Sequence, residues 1–365
     1  MASLEEVLGY AVKHGASDVH LCVGSPPACR IDGKIRFFGE DNLTPTHTDS
    51  YLDQILTETK RVEFDATGDT DVAYSIPGLG RFRVNCLKQR GSTGIIMRHV
   101  KGKILPFHEL NLPKAMDQVS AVRRGLCLIT GTTGSGKSTT LAAIIDHINT
   151  NQREHIVTLE DPIEFLHQNK KSLVTQREIT IDTKDFSTAL RAAMREDPDV
   201  ILIGEMRDSE TFHASTSAAE TGHLVFSTLH TTNAMLTIDR IMDMFPATQH
   251  DQIRSQLALQ LKYTVAQRLV PSIDGKGRVA AVEIMYNSPA IAQLIRENLI
   301  KQIPNGIAAG GDEGMQSFNT SLVDLVKREL VSKDDAVKFS DNPEELQMNL
   351  KGIYLSSAKG GILKR

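Results

Sequence analysis

The feature that most constrains this chain is the glycine-rich segment GTTGSGKS at residues 131–138. It fills every defining position of the phosphate-loop pattern G-x-x-x-x-G-K-[ST]. An apolar run at 126–130 precedes it, and from Leu141 onward apolar residues recur at the spacing of one helix face. A strand, a glycine loop and a helix in this order form the context that the pattern requires. The segment therefore predicts binding of a nucleoside triphosphate, and this context disfavours a chance match in a glycine-rich loop.

The residue types of the loop explain how it holds phosphate. Glycines let the backbone curl so that successive N–H groups point at one anion, and the N-terminus of the next helix adds partial positive charge. Lys137 can reach the β- and γ-phosphates, and the Ser138 hydroxyl can bind Mg²⁺. We therefore expect ATP and Mg²⁺ as ligands. The residues predicted to contact the nucleotide are Gly131, Thr132, Thr133, Gly134, Ser135, Gly136, Lys137, Ser138 and Thr139.

The composition is that of a globular protein, and 365 residues are enough for two domains with sizeable cores. A net charge of −4 argues against a protein that coats nucleic acid or an acidic membrane. No apolar run reaches the ~18 residues of a membrane span, and the N-terminus lacks the basic and apolar regions of a signal peptide. The four cysteines are scattered without a C-x-x-C pair. They favour reduced thiols in the cytoplasm over a disulfide framework or a zinc site.

A change of pattern along the chain predicts two domains of an α/β protein. Residues 1–110 mix helical and strand patterns and predict a small α+β domain, in which Asp32-Gly33 is expected to form a two-residue hairpin turn. Residues 111–365 alternate strands and helices, which is typical of a mostly parallel sheet. A helical C-terminal region and a flexible tail at about 353–365 are expected to follow, and prolines at 106 and 113 mark the linker between the domains. Strands are expected at 18–23, 28–31, 34–38, 71–76, 81–87 and 94–100, and then at 126–130, 155–159, 199–203, 223–228 and 279–285.

Acidic residues follow two strands of the second domain. Glu160 ends one strand beside the phosphate loop, where a carboxylate serves water activation or metal binding, although an acidic loop start without function is the alternative. Glu205 ends another strand in the form of a Walker B element, whose acid holds Mg²⁺ directly or through water. It is the expected acid because Gly204 stands where many NTPases have Asp. The predicted Mg²⁺ ligands are Ser138, Glu160 and Glu205.

Polar residues also follow the strand at 223–228. Thr228, His230 and Asn233 are candidates for sensing the γ-phosphate through hydrogen bonds. His223 enters the strand and is expected to be a structural histidine. His230 is therefore the histidine to which we assign a functional role.

Arginines in the first domain allow two interpretations. Arg81 and Arg83 alternate with Phe82, so both are expected on one strand face, and Arg98 follows nearby. They either form a solvated strand edge or contact phosphate at an interface, as arginine fingers do. The residues alone support both interpretations.

Together these stretches resemble the secretion ATPases of the RecA-like class and, more specifically, the type IV pilus retraction ATPases. The resemblance covers about residues 1–350. It rests on GRFRVNCLKQRG at 80–91, GTTGSGKSTTLAAIIDHIN at 131–149, HIVTLEDPIEFLH at 155–167, DPDVILIGEMRDSET at 197–211, AETGHLVFSTLHTTNA at 219–234 and GRVAAVEIMYNSPA at 277–290.

The resemblance implies a PAS-like N-terminal domain and a RecA-like P-loop NTPase domain, assembled as a homo-hexameric ring with nucleotide between the two domains. It implies an ATPase that powers pilus retraction and twitching motility at the cytoplasmic face of the inner membrane, without membrane insertion and without nucleic acid. The implied partners are an inner-membrane pilus platform protein and a paralogous retraction ATPase. The residues carried over as catalytic are Glu160, Glu205, His230, Arg81, Arg83 and Arg98, and Gln267 and Arg268 belong to a matching stretch of unassigned role.

One departure from the family pattern leaves alternatives open. Retraction ATPases carry Ala-Ile-Arg-Asn-Leu-Ile-Arg-Glu near the C-terminus, and here Ala292 and Gln293 replace the first Arg and the Asn. The chain is thus either a principal motor or an accessory paralogue. A pilus assembly or type II secretion ATPase is disfavoured because the four-cysteine zinc motif is missing. A DNA-translocating motor would need a basic domain, and a non-hydrolysing nucleotide-sensing scaffold would not need both Glu160 and Glu205.

Overall fold

In the computed structural model, which describes residues 3–100 and 102–353, the chain divides into two units between Lys103 and Ile104. The first unit also takes in Glu164–Leu166, and the second holds the remainder. Apart from Ile353, the predicted tail at about 353–365 lies outside the described residues.

The first unit contains a six-stranded antiparallel sheet in the order β3-β2-β1-β6-β5-β4. Its elements are α1 (Leu4–Lys13), β1 (Asp18–Cys22), β2 (Ala28–Ile31), β3 (Lys34–Phe37), α2 (Pro45–Ile55), α3 (Glu58–Thr67), β4 (Asp69–Ile76), β5 (Gly80–Gln89) and β6 (Ser92–His99). The core lies between one face of the sheet and the three helices, since apolar residues of both are buried together.

Two local predictions for this unit are confirmed. Asp32 and Gly33 have φ of 50° and 77°, and Ile31 pairs with Lys34, so a two-residue turn with both central residues left-handed joins β2 to β3. On β5, Phe82 is fully buried while its neighbours Arg81 and Arg83 are not. The period of two therefore places the arginines on the face away from the core.

The second unit contains a seven-stranded sheet in the order β13-β12-β7-β11-β10-β8-β9. Its strands are β7 (Gly125–Thr130), β8 (His155–Glu160), β9 (Leu173–Glu178), β10 (Val200–Ile203), β11 (Leu224–Leu229), β12 (Leu261–Pro271) and β13 (Arg278–Tyr286). All neighbouring strands are parallel except β12 and β13. The five predicted strands are confirmed as β7, β8, β10, β11 and β13, while β9 and β12 are additional.

Helices cover both faces of this sheet. They are α4 (Ala115–Ser120), α5 (Lys137–Asn151), α6 (Phe186–Ala193), α7 (Ser209–Glu220), α8 (Ala234–Met242), α9 (His250–Gln260), α10 (Pro289–Arg296), α11 (Ile303–Ala309), α12 (Phe318–Lys327), α13 (Lys333–Phe339) and α14 (Pro343–Leu350). Helices α4 and α5 pack on one face, and α6 to α11 pack on the other. Every residue of β7, β10 and β11 is buried, as expected of parallel strands covered on both sides. The predicted α/β fold class and the helical C-terminal region are thus confirmed.

The register of the parallel strands brings their carboxyl ends to one edge. Leu229 at the end of β11 pairs with Thr130 at the end of β7, and Ile203 at the end of β10 pairs with Leu159 of β8. The loops that follow these four strands therefore meet along this edge, where ligands of such sheets bind. Among the described residues, no helix is both long enough and apolar enough to span a membrane.

Candidate nucleotide-binding and hydrolytic site

The phosphate loop joins β7 to α5 at this edge of the sheet. Gly134 and Gly136 have φ of 77° and 91°, in the left-handed region that glycine adopts without strain. A Cβ on Gly131 would lie 2.5 Å from the Gln267 carbonyl oxygen, and one on Gly136 would lie 2.7 Å from Gln267 Nε2. Gly131 has a φ of 149°, so glycine is required at 131 and 136 by close packing as well as by backbone conformation.

Lys137, the first residue of α5, holds its charge inside the loop. It is only 9% exposed, and its Nζ donates to the carbonyl oxygens of Gly131 at 2.8 Å and Thr132 at 3.2 Å. Burial lowers the pKa of Lys137, and the charge of Glu205 partly opposes that effect. A partly desolvated cation among the backbone groups of a helix N-terminus is suited to binding an anion.

Glu205, the predicted Walker B acid, lies next to the loop and next to the histidine to which we assign a functional role. Glu205 Oε1 is 3.3 Å from His230 Nε2, and His230 Nδ1 is 3.5 Å from Thr133 Oγ1. Arg207 brings both Nε and a terminal nitrogen to 2.8 Å from Glu205 Oε2. The segments that follow β7, β10 and β11 are thus connected through side chains, and the structure brings Thr133, Glu205 and His230 together.

Glu160 lies at the end of β8 with its carboxylate oriented by two neighbours. Its Oε1 accepts hydrogen bonds from Thr158 Oγ1 at 2.7 Å and from Gln176 Nε2 at 3.1 Å. The side chain is half-buried. A carboxylate held in this way keeps a fixed direction, which a group that positions water or metal needs.

Gly204 directly precedes Glu205 and packs against the end of β8, which carries Glu160. A Cβ at this position would lie 3.3 Å from the Leu159 carbonyl oxygen and 3.4 Å from Glu160 Cα. Its own carbonyl accepts from Thr228 Oγ1 at 2.7 Å. The Asp that many NTPases have at this position would therefore have little room here. The Thr228 hydroxyl links the end of β11 to the residue that follows β10.

Two other polar residues of this region have structural contacts. His223 is half-buried and its Nδ1 lies 2.9 Å from the Ala218 carbonyl oxygen, so its predicted structural role fits its surroundings. Asn233 caps α8, since its Oδ1 accepts from the Leu236 N–H at 2.8 Å.

The three arginines assigned to phosphate contact all lie in the first unit. Arg83 and Arg98 are directly opposite each other on β5 and β6, and Arg81 is two residues before Arg83. Arg98 Nε donates to Asp18 Oδ1 at 2.8 Å. Burial alone would raise the Asp18 pKa, but hydrogen bonds from Ser17 and Arg98 outweigh it and lower that pKa. The arginines thus share one sheet face, and their contact with phosphate stays a prediction.

Sequence reasoning missed several residues that support the site. Arg207 orients Glu205, and Gln176 orients Glu160. The structure also places Gln267 against the phosphate loop, which its sequence motif did not indicate. Glu283 on β13 is buried, and its Oε1 accepts from the Ala234 N–H at 2.8 Å, at the start of α8. Only Arg207 carried a local signal, since it stands two residues from Glu205.

The residues present fit a nucleoside triphosphate with Mg²⁺. Thr132, Thr133 and Ser138 are exposed on the outer side of the loop, within reach of a ligand. Ser135 Oγ is buried and has no hydrogen-bond partner among the described residues. The first residues of α5 direct N–H groups toward the loop, since no earlier helical carbonyl accepts from them. This donor set is the kind that binds phosphate oxygens, and the Ser138 hydroxyl is a suitable Mg²⁺ ligand.

The parallel sheet, the phosphate loop and the acids at its edge define a P-loop NTPase of the RecA-like class. A family model described as Type II/IV secretion system protein matches residues 1–302. The chain therefore belongs to the family of Type II/IV secretion system proteins.

The comparisons with individual proteins extend over nearly the whole chain. The type IV pilus retraction ATPase PilT of Pseudomonas aeruginosa is 46% identical over 341 residues, which are 93% of this chain and 99% of that protein. The type IV pilus ATPase PilU of the same organism is 38% identical over 364 residues, covering 98% and 95%. A crystal structure of the pilus retraction motor PilT with bound ADP matches with a TM-score of 0.87 at 44% identity, covering 95% and 99%.

Proposed function

We propose that this chain is the subunit of a homo-hexameric, ATP-hydrolysing motor that powers type IV pilus retraction and thereby twitching motility. The contact between Glu205 and His230 beside the phosphate loop carries the proposal, because it joins an acid suited to catalysis to the segment that follows β11. Similarity to the retraction ATPase PilT over almost the full length of both proteins supports pilus retraction rather than pilus assembly. We place the motor at the cytoplasmic face of the inner membrane, on an inner-membrane platform protein of the pilus machine.

Different side chains of the site have different roles in hydrolysis. Lys137 and the loop N–H groups bind the phosphates and stabilise the charge that develops on the γ-phosphate during in-line attack by water. Ser138 with Glu160 or Glu205 would hold Mg²⁺, which when bound would neutralise negative charge on the β- and γ-phosphates. The acid that is not at the metal accepts the proton of the attacking water, and the products are ADP and phosphate. His230 contacts both Glu205 and the loop residue Thr133, so it can convey the state of the phosphates to α8.

The arginines of the first unit are proposed to complete the phosphate site in the assembled ring. Arg81, Arg83 and Arg98 share one sheet face and supply the planar donors that phosphate recognition favours. Arg83→Ala is expected to lower ATPase activity at least tenfold, as loss of an arginine finger does. Arg36→Ala, on an exposed strand of the same sheet, is the control. Equal activity of the two variants would contradict this assignment.

The hydrolytic assignment is tested with two variants and a matched control. Lys137→Ala is expected to lose ATP binding because the buried cation of the loop is removed. Glu205→Gln is expected to bind ATP but to hydrolyse it at least a hundredfold more slowly, since it keeps the shape and loses the charge. Glu210→Gln changes an exposed carboxylate on α7 and should retain turnover. Binding is measured by calorimetry and turnover by phosphate release; wild-type turnover in Glu205→Gln would contradict the role of Glu205.

Assembly and direction of force need separate measurements. Light scattering with nucleotide should report a hexamer, and a strict monomer under all conditions would contradict a ring motor. Deletion of the gene in its host should abolish twitching and leave excess surface pili. Loss of pili would instead indicate an assembly motor.

An accessory retraction role is the second candidate, favoured by one observation. Ala292 and Gln293 on α10 replace the Arg and Asn of the retraction motif, and Gln293 Nε2 donates at 2.9 Å to Glu297, which caps the C-terminus of this helix. The similarity to PilU over 98% of the chain is compatible with this role. Rescue of twitching by this chain alone, in a host without other retraction ATPases, would establish the principal motor. Failure to rescue would favour the accessory role.

A further inference from the structure

We infer that Gln267 is a positioning residue for the phosphate loop and that it sets the affinity for di- and triphosphates without touching them. The inference rests on the proposed function, because it concerns the nucleotide that the loop binds. Gln267 lies on β12, whose Ala266 pairs with Thr130 at the end of β7. The next residue along β12 is therefore level with Gly131, where the loop begins.

Both ends of the Gln267 amide are used at the loop. Nε2 donates to the Ser135 carbonyl oxygen at 2.7 Å, and Oε1 accepts from Thr140 Oγ1 at 2.7 Å. The residue is only 3% exposed, so these bonds do not compete with bulk water. One group thus binds the loop and the first turn of α5 at the same time. An amide provides this combination of donor and acceptor, whereas a carboxylate has no donor for the carbonyl.

The loop glycines are packed against the same residue. A Cβ on Gly131 would approach the Gln267 carbonyl oxygen to 2.5 Å, and a Cβ on Gly136 would approach Nε2 to 2.7 Å. The loop therefore lies directly on the backbone and side chain of Gln267, which limits the positions that its N–H groups can take.

The strand that carries Gln267 is anchored on its opposite face. Arg268 donates to the Phe339 carbonyl oxygen at 2.8 Å and lies 2.5 Å from Asp341, with its guanidinium 3.9 Å from the centre of the Phe318 ring. Successive residues of a strand point to opposite faces. The C-terminal helices thus hold β12 in place while Gln267 holds the loop.

This arrangement predicts a separation of binding from chemistry. Without the amide, the Ser135 carbonyl loses its partner and the loop must be ordered by the nucleotide itself, which weakens binding. Loss of one to two hydrogen bonds of this kind corresponds to about a 10- to 100-fold rise in Kd. Because the Gln267 amide bonds to Ser135 and Thr140 rather than to Glu160 or Glu205, kcat at saturating ATP should stay within about twofold.

The test compares Gln267→Leu with Gln316→Leu in the full-length protein. Gln316 Nε2 donates to the Val282 carbonyl oxygen at 2.9 Å on β13, so its replacement removes a similar bond that does not touch the loop. We expect Gln267→Leu to raise the Kd of ADP with Mg²⁺ and the KM of ATP by similar factors of about 10 to 100, with kcat retained. Gln316→Leu should change neither constant. Calorimetry gives Kd, and phosphate release gives KM and kcat.

Thr140→Val keeps the inference testable if Gln267→Leu does not fold. It removes only the bond to Oε1 and should raise the Kd of ADP by about 3- to 10-fold. An unchanged Kd in a folded Gln267→Leu or Thr140→Val, a lower kcat at unchanged KM, or the same rise in Gln316→Leu would overturn the inference. Binding of ADP to the wild-type protein is measured first. Wild-type protein that does not bind ADP at all would overturn the proposed function itself.

Discussion

Glu283 makes the stability of the second unit depend on pH. It lies on β13, is 9% exposed, and accepts a hydrogen bond from the Ala234 N–H at the start of α8. Burial raises the pKa of Glu283 from 4.5 to about 7; the nearby charge of Asp341 adds to this, while the bond from Ala234 and the charge of Arg268 oppose it. The perturbation we propose is Glu283→Gln, which keeps an acceptor for Ala234 and removes the ionisation.

The expected effect follows from the difference between the folded and unfolded pKa. The unfolded chain releases this proton near pH 4.5 and the folded chain near pH 7, so the folded state binds more protons between these values. Raising the pH through this window therefore lowers the free energy of unfolding of the wild-type protein. Converted at about 1.4 kcal/mol per pKa unit, the full loss is about 3 kcal/mol. Below pH 4.5 and above about pH 7 the contribution of Glu283 no longer changes.

The assay is urea unfolding of both proteins at several pH values from 4.5 to 8. The stability of Glu283→Gln relative to wild type should rise with pH by about 3 kcal/mol across this range, most of it before pH 7. Glu220→Gln, at an exposed carboxylate on α7, is the control and should show no such trend. A difference between Glu283→Gln and wild type that does not vary with pH would refute the reasoning, because it would mean that the buried carboxyl titrates normally.

Two further predictions concern packing and backbone conformation. Phe82→Ala, at a fully buried ring, should destabilise the first unit by about 3–5 kcal/mol. Phe37→Ala, at a ring that is 63% exposed, should change stability by less than about 0.5 kcal/mol. Thermal unfolding measures both variants, and equal effects would contradict the assignment of the core. Gly136→Ala and Gly134→Ala both force alanine into left-handed backbone, at about 1–2 kcal/mol each. Only Gly136→Ala also displaces Gln267, so it should destabilise the protein more than Gly134→Ala, which has open space around it; the reverse order in urea unfolding would show that the contact with Gln267 is unimportant.

Features that depend on neighbouring residues in the chain were predictable from the sequence. The phosphate loop needs glycines, a lysine and a helix start within eight residues, and the Asp32-Gly33 turn needs two residues that tolerate left-handed backbone. The fully buried strands are recognisable in the sequence as apolar runs between polar loops. Glu160, Glu205 and His230 could be assigned to one region because the carboxyl ends of parallel strands meet at one edge.

Features that depend on distant partners were not predictable in this way. Gln267 bonds to residues that lie 127 and 132 positions earlier in the chain, and no local pattern reports such a contact. The strand that carries it, β12, includes Lys262, Gln267 and Arg268, and these polar residues obscure its apolar character. Helices α2 and α3 have only short apolar faces, and those faces become meaningful only against the sheet that they cover.

The strand order of the second unit has a consequence for synthesis on the ribosome. Both sheet neighbours of β7, namely β11 and β12, are translated after it, and Gln267 follows Ser135 by 132 residues. During translation the phosphate loop therefore emerges long before the strand that it rests on. A nascent chain arrested before β12 has left the exit tunnel should not retain ADP, whereas one arrested after β13 has emerged should. The nucleotide site is thus completed late in translation, when most of the chain has already been made.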